Sequence, residues 1–228
     1  MTQSPLANPV WHALAGPHAG FAETHGRARR YQRDVSVFSA VDQFDDAAWD
    51  DLAACADASR GGVLVIRDEP PSPPTGWDEL VRVDLDQMVA TSIVEPSAAP
   101  WRNLGPADVD AMVALTALTE PGPFLPGTAQ LGGYVGVFDD DRLVAMAGQR
   151  MQLPGYCEVS AVCTHADARG RGLGAVVTAA VAARIIGRGE RAFLHVRPAN
   201  APAKELYERV GFRRHAAAQL AIYARIDT

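Results

Sequence analysis

Residues 158–174, EVSAVCTHADARGRGLG, admit very few local folds. The first half is Val-rich with small residues and reads as a strand. The second half places Arg169, Gly170, Arg171, Gly172 and Gly174 within six positions, too much glycine for the interior of a strand or a helix. Beyond it, Leu173, Val176, Val177, Ala180, Val181 and Ile185 recur at i, i+3, i+4 spacing, which predicts an amphipathic helix over 173–186. A strand therefore runs through a short basic glycine loop into a helix. That order turns free amides and the positive end of the helix dipole toward one spot, where a phosphate group fits. The glycines let the backbone come close, and the arginines add charge.

Taken alone, the loop has more than one reading. It is compatible with a glycine-rich turn that binds nothing. Gly170-x-Gly172-x-x-Ala175 also matches a dinucleotide fingerprint, with Glu190 about twenty residues on. That fingerprint requires its acid after the next strand, whereas Glu190 precedes it. The strand leading in is also the third of an antiparallel meander, not the first of a parallel sheet.

The flanking elements follow from the same patterns. The chain predicts a helix over 108–118, stopped by Pro121-Gly-Pro123, and a hairpin of strands over 134–138 and 143–151 with Asp139-Asp-Asp141 at its solvated tip. A third strand covers 156–164, and another follows the glycine-loop helix at 192–196. Asn200 can cap a helix over 201–209, with Pro202 tolerated in its first turn and Gly211 as its stop. A final strand spans 217–225. Upstream, a strand is predicted over 34–41, a helix over 45–56 opened by Asp45 and Asp46, and a short buried strand over 63–66 after Gly61-Gly62. The Pro-rich segment 69–76 can be neither helix nor central strand. A second break at 95–106 sets the expected division: an N-terminal α/β region over 1–104 and a second domain over 105–228.

Two of these segments together carry a family likeness. Arg169-Gly-Arg-Gly172-Leu-Gly174 resembles the coenzyme A pyrophosphate loop of the GCN5-related N-acetyltransferases. Asn200-x-x-Ala203-x-x-Leu206-Tyr207-Glu208-x-x-Gly211-Phe212 resembles that family's second signature, at the right distance and on the predicted helix. Residues 156–174 look more specifically like the FR47-like branch, which is related to the glycine N-acyltransferases. The likeness is firm over about 133–215. Asn8-Pro-Val-Trp-His12 and Ala28-Arg-Arg-Tyr31 look like the branch's own N-terminal region.

The resemblance implies an α/β (α+β) fold: a mixed, mostly antiparallel sheet flanked by helices, with the N-terminal region a degenerate copy. It implies transfer of an acetyl or short acyl group from acyl-CoA to a primary amine, on a small molecule or amino acid, by direct transfer in a ternary complex. A non-catalytic acyl-CoA-binding module and a protein N-acetyltransferase stand as alternatives. Acetyl-CoA is the implied cosubstrate, bound by Val162, Cys163, Thr164, Arg169, Gly170, Arg171, Gly172, Leu173, Gly174 and Asn200. Such chemistry needs a neutral amine, a stabilised carbonyl oxygen and a proton for the leaving thiolate. Glu158, eleven residues before Arg169, is the expected base, directly or through water, and Tyr207 the expected acid. Glu120 and Phe124, in a loop stiffened by two prolines, are expected to line the acceptor pocket. Cys163 as a covalent nucleophile is disfavoured, because the sequence places no base beside it.

Composition narrows the setting. The 228 residues carry a net charge of −6, against the basic surface that non-specific nucleic-acid binding requires. The three cysteines form no C-x-x-C pair, so neither a disulfide framework nor a metal site is expected. No secretory pattern or membrane-length apolar run is visible, so a cytoplasmic protein is expected. The heavy use of alanine, and of arginine over lysine (Lys204 is the only one), reads as bacterial genome composition and not mechanism. A homodimer is compatible with the sequence.

Overall fold

A computed structural model describes residues 4–56, 62–94 and 100–226. Eleven strands and five α-helices lie within them. The N-terminal segment opens with α1 (Pro9–Leu14), a small sheet of β1 (Ala22–His25), β2 (Ala28–Tyr31) and β3 (Ser39–Ala40), and α2 (Asp46–Cys55). Next come β4 (Val63–Arg67), β5 (Trp77–Ala90) and β6 (Arg102–Asn103). The rest alternates: α3 (Val109–Thr119), β7 (Val135–Asp139), β8 (Arg142–Leu153), β9 (Tyr156–Thr164), α4 (Leu173–Gly187), β10 (Arg191–Val196), α5 (Ala201–Val210) and β11 (Arg213–Arg225).

Eight strands form one sheet in the order β4-β11-β5-β10-β9-β8-β7-β6. Among the described residues, β9 and β10 are its one parallel pair; the other neighbours run antiparallel. Side chains alternate across the strands, so both faces need cover. On β10, Ala192, Leu194 and Val196 join the cluster under α4, to which Val177, Val181 and Ile185 contribute. Phe193 points the other way and packs with Met151 and Leu153 against Val10, Leu14, Tyr31 and Phe38. The N-terminal segment thus roofs one face, while α4 roofs the other. Farther out, α2 lays Trp49 against Trp77 and Tyr223, with ring centroids 5.2 and 4.9 Å away.

From α3 through β11, the expected elements occur in the expected order. Asp45 caps α2 by accepting from the Ala48 amide, and the Asn200 side chain accepts from Ala203 at 3.3 Å. Several features differ from expectation. The strand over 34–41 shrinks to Ser39–Ala40, because the Val35 and Ser36 amides both turn back onto the Gln32 carbonyl, at 3.0 and 3.2 Å. The last strand begins at Arg213, where it pairs with Val89 of β5. Another is β5 itself, fourteen residues long and unannounced by the sequence, which lies between β10 and β11. Its sequence hides it because the first half carries charges on exposed positions, Asp78, Glu79 and Asp84, with Glu79 bonded to the half-buried Arg82.

Strands β4, β5 and β6 all precede residue 104, yet they lie in the same sheet as β7 to β11. Of the breaks in the sequence, Gly61 and residues 95–99 lie outside the described residues.

Candidate functional site

The parallel pairing of β9 with β10 lasts for three residue pairs, ending at Glu158 with Phe193. Beyond that pair, β10 stays with β5 as far as Val196 opposite Asp86, while β9 stays with β8 as far as Thr164 opposite Ala145. A bulge accompanies the divergence. The β8–β9 register shifts between Ser160 and Cys163, and Ala161 takes φ 52°, a left-handed conformation that costs an alanine about 1–2 kcal/mol. The sheet therefore opens into a wedge. Its β9 edge is main chain from residues 159–164 that has no partner strand on that side.

The glycine loop closes the wide end of this wedge. Gly170 and Gly172 have φ values of 77° and 75°, and a Cβ on either would meet nothing within 4 Å. Gly172 begins α4 with no side-chain cap. The helix's first amides have no partner within it, so they are open to an outside anion. Gly174 has a different purpose: a Cβ there would lie 3.0 Å from Leu206 Cδ1 and 3.5 Å from Thr164 Oγ1. Its absence lets α5 close onto α4 and brings the two sequence signatures together. Leu173 is buried in the α4 cluster, so its contribution to a ligand is its amide.

The two arginines of the loop differ. Arg169 is exposed and has no ion-pair partner among the described residues. Arg171 is held by Asp139 at the end of β7, through bonds of 2.5 and 2.9 Å. Asn200 spends its side-chain oxygen on capping α5.

Tyr207 projects from α5 toward the end of β9. Its ring packs at 6.1 Å on Phe212, and burial, with Cys163 nearby, pushes its pKa up to about 12. It is a phenol, never a phenolate, at neutral pH. Burial likewise raises the Cys163 thiol to about 11, against opposing hydrogen bonds involving Thr119 and Met146. A thiol so protonated is not a nucleophile.

Glu158, the expected base, sits in an ion-paired network at the root of the wedge. It is fully buried, and both carboxylate oxygens are taken. Arg150 donates Nε to Oε2 at 2.7 Å and Nη2 to Oε1 at 2.6 Å, a bidentate pair. His195 Nδ1 also lies 2.8 Å from Oε1. Gln87 Nε2 lies 3.1 Å from His195 Nε2 and from the Leu6 carbonyl. An amide nitrogen only donates, so His195 Nε2 accepts and its Nδ1–H faces the carboxylate. Burial works to raise the pKa of Glu158, but the Arg150 charge and these bonds bring it down to about 2. A carboxylate held that low is a poor proton acceptor, and this one has no face left for an amine. Its geometry is that of a buried anion that locks β8, β9 and β10 together at the root of the wedge.

Phe124 joins the cluster of Met112, Tyr134, Met146 and Cys163, and stacks edge-on against Tyr134 at 5.8 Å. Glu120 is separated from that cluster: it is exposed at the C-terminal cap of α3, with φ 45°. Sequence reasoning missed Arg150, His195, Gln87 and Tyr134. Arg150, an isolated charge in an otherwise core-forming strand, was the one readable signal among them.

The comparisons agree with this geometry. Residues 134–220 match the FR47-like protein family. The structure is similar to an acetyltransferase assigned to the GNAT family from Novosphingobium aromaticivorans, at TM-score 0.88 and 35% identity over 99% of this chain and 100% of that one. A GCN5-related N-acetyltransferase from Kribbella flavida shares the fold, at TM-score 0.62 and 20% identity over 94% and 96% of the two chains. A GCN5-related N-acetyltransferase-like protein from Streptococcus suis does so at TM-score 0.59 and 14% identity, over 94% and 92%. A search of the curated proteins finds no match. With the wedge, the glycine loop and a relative of that identity over its whole length, this chain belongs to the GNAT family of acyl-CoA-dependent N-acetyltransferases.

Proposed function

We propose that this protein moves an acetyl or short acyl group from acyl-CoA to a primary amine on a small molecule or amino acid, within a ternary complex. The observation that carries the reading is the wedge between β9 and β10, with uncapped amides of α4 at one side and Tyr207 at the other. A diphosphate lies on the amides of the 170–174 loop, where Gly170 and Gly172 leave room for it and Arg169 adds charge. The coenzyme arm pairs with the free main chain of Val162, Cys163 and Thr164, as a missing strand would.

The amine nitrogen attacks the thioester carbon, the C–S bond breaks, and the carbonyl oxygen charge is met by main-chain amide near the bulge. Tyr207 gives its proton to the leaving sulfur. The proton lost from nitrogen passes to water, since Glu158 is committed to Arg150 and His195. Phe124 lines the acceptor side, and Glu120 at its rim attracts a cationic amine before it is deprotonated.

Calorimetric titration with acetyl-CoA, with coenzyme A and NADH alongside, tests the reading. Saturable binding of the CoA species near one per chain is expected, followed by amine-dependent thiol release. No CoA binding overturns the reading. Binding without thiol release from any amine leaves an acyl-CoA-binding module.

A further inference from the structure

Tyr134 stands opposite Gly148, because β7 begins at Val135 opposite Ala147. Its ring lies directly on that glycine: a Cβ at 148 would sit 2.1 Å from the ring Cδ1. Phe124 packs edge-on against it, and its own carbonyl is fixed by the Leu104 amide at 3.0 Å. Held in this way, the ring crosses β8 between Met146 and Arg150 on the face away from α4. The residue lies in one buried cluster with Cys163, and Ala161 at the bulge of β9 packs against that cluster. Arg150, Glu158 and Cys163 are the charged or ionisable groups that act on the Tyr134 hydroxyl.

Tyr134 is 3% exposed, and among the described residues its hydroxyl has no hydrogen-bond partner. A buried hydroxyl without a partner costs about 1–3 kcal/mol. The neighbouring ion pair does not absorb it: the partners of Glu158 are Arg150 and His195, and the hydroxyl makes no bond to it. The site calls for a hydrogen-bond acceptor that arrives with a reactant. A free amine is the wrong one, because a donor on its lone pair would block the attack. A carbonyl oxygen is the right one, and it gains charge as the bond to nitrogen forms.

We propose, resting on the acyltransfer reading above, that the Tyr134 hydroxyl donates a hydrogen bond to the acyl carbonyl oxygen of the bound thioester, as a side-chain partner to the main-chain donor on β9. Burial raises its pKa, so it stays protonated across the working pH range and does not itself transfer a proton. It is a catalytic residue in the sense that it touches the reacting carbonyl.

The test compares Tyr134→Phe with the wild type, using acetyl-CoA and coenzyme A in parallel by calorimetry. The expected result is a Kd for acetyl-CoA weakened about two- to tenfold, with the Kd for coenzyme A unchanged. With acetyl-CoA labelled at the carbonyl carbon, the infrared carbonyl band of the bound thioester should lie at lower frequency in the wild type than in the variant. The ligand-free variant should melt at or above the wild type, because it loses an unpartnered group. Equal effects on both ligands, no effect on either, or identical carbonyl bands overturn the proposal. So does a variant that melts several degrees lower or fails to fold, since the hydroxyl would then have a partner in the protein. A wild type that binds neither ligand overturns the acyltransfer reading itself, and this proposal with it.

Discussion

Lys204 Nζ lies 2.6 Å from Asp86 Oδ2, so the chain's only lysine fastens the helix bearing Tyr207 to a strand from the N-terminal half. Arg214 Nε holds the other oxygen of Asp86 at 2.6 Å. Replacing Asp86 by Ala removes the anchor of α5 and should cost about 1.5–3 kcal/mol, read from the urea midpoint. The hydrogen bond from Lys204, then that from Arg214, lowers the pKa of Asp86. Its contribution is therefore complete above the unfolded value and fades as pH falls through the folded one. Asp86→Asn should show a flatter acid limb in stability against pH; an unchanged limb would show that the pair is idle.

Glu158 should matter more for folding than for proton transfer. Glu158→Ala leaves Arg150 buried without its anion and should cost about 3–5 kcal/mol. The wild-type contribution is whole above pH 4.5 and is lost between that value and about 2. In Glu158→Gln, the pH–rate profile between 5 and 9 should keep the wild-type shape. An acid limb that changed in the variant would return Glu158 to the role of base.

In the proposed mechanism, Tyr207→Phe removes the proton for the leaving thiolate. Turnover should fall roughly 10²-fold while acetyl-CoA affinity stays the same. Because the Tyr207 pKa is pushed up to about 12, the wild-type rate should not decline on account of this group below pH 10. Full activity in the variant would remove Tyr207 from the mechanism.

Cys163→Ala should remain active, and iodoacetamide at neutral pH should not inactivate the wild type. The thiol, raised to about 11, supplies almost no thiolate there. Rapid inactivation prevented by bound acetyl-CoA would restore the covalent alternative.

Asp139 holds Arg171, and in the proposed complex it would compete with the diphosphate for that cation. Asp139→Asn should tighten acetyl-CoA binding at low salt, by up to about fivefold, with the difference fading as salt rises. Weaker binding would mean that Asp139 sets the loop's conformation instead.

The catalytic half was legible because its signals are local. Glycines at 170 and 172 and the Asn200 cap act on their immediate neighbours, and helix periodicity in 173–186 needs no partner to be seen. The strand β5 was not legible, because its burial comes from strands more than a hundred residues away while its own first half is charged. The spacing singled out Glu158 but could not show which side chains surround it. Its position follows from spacing, but its chemistry follows from Arg150 and His195, which only the folded sheet brings to it.

The placement of β5 between β10 and β11 also sets a sequence of events during synthesis. Residues 77–90 leave the ribosome early, yet neither flanking strand is available until residues 191–196 and 213–225 have been made. Until then this strand has two unsatisfied edges, and Asp86 lacks both cations that neutralise it. The exposed charges on its first half discourage it from pairing with another chain in the interval. Contacts at such sequence separation make the closing step slow. A polypeptide cut between the two halves should regain function only when both pieces are refolded together.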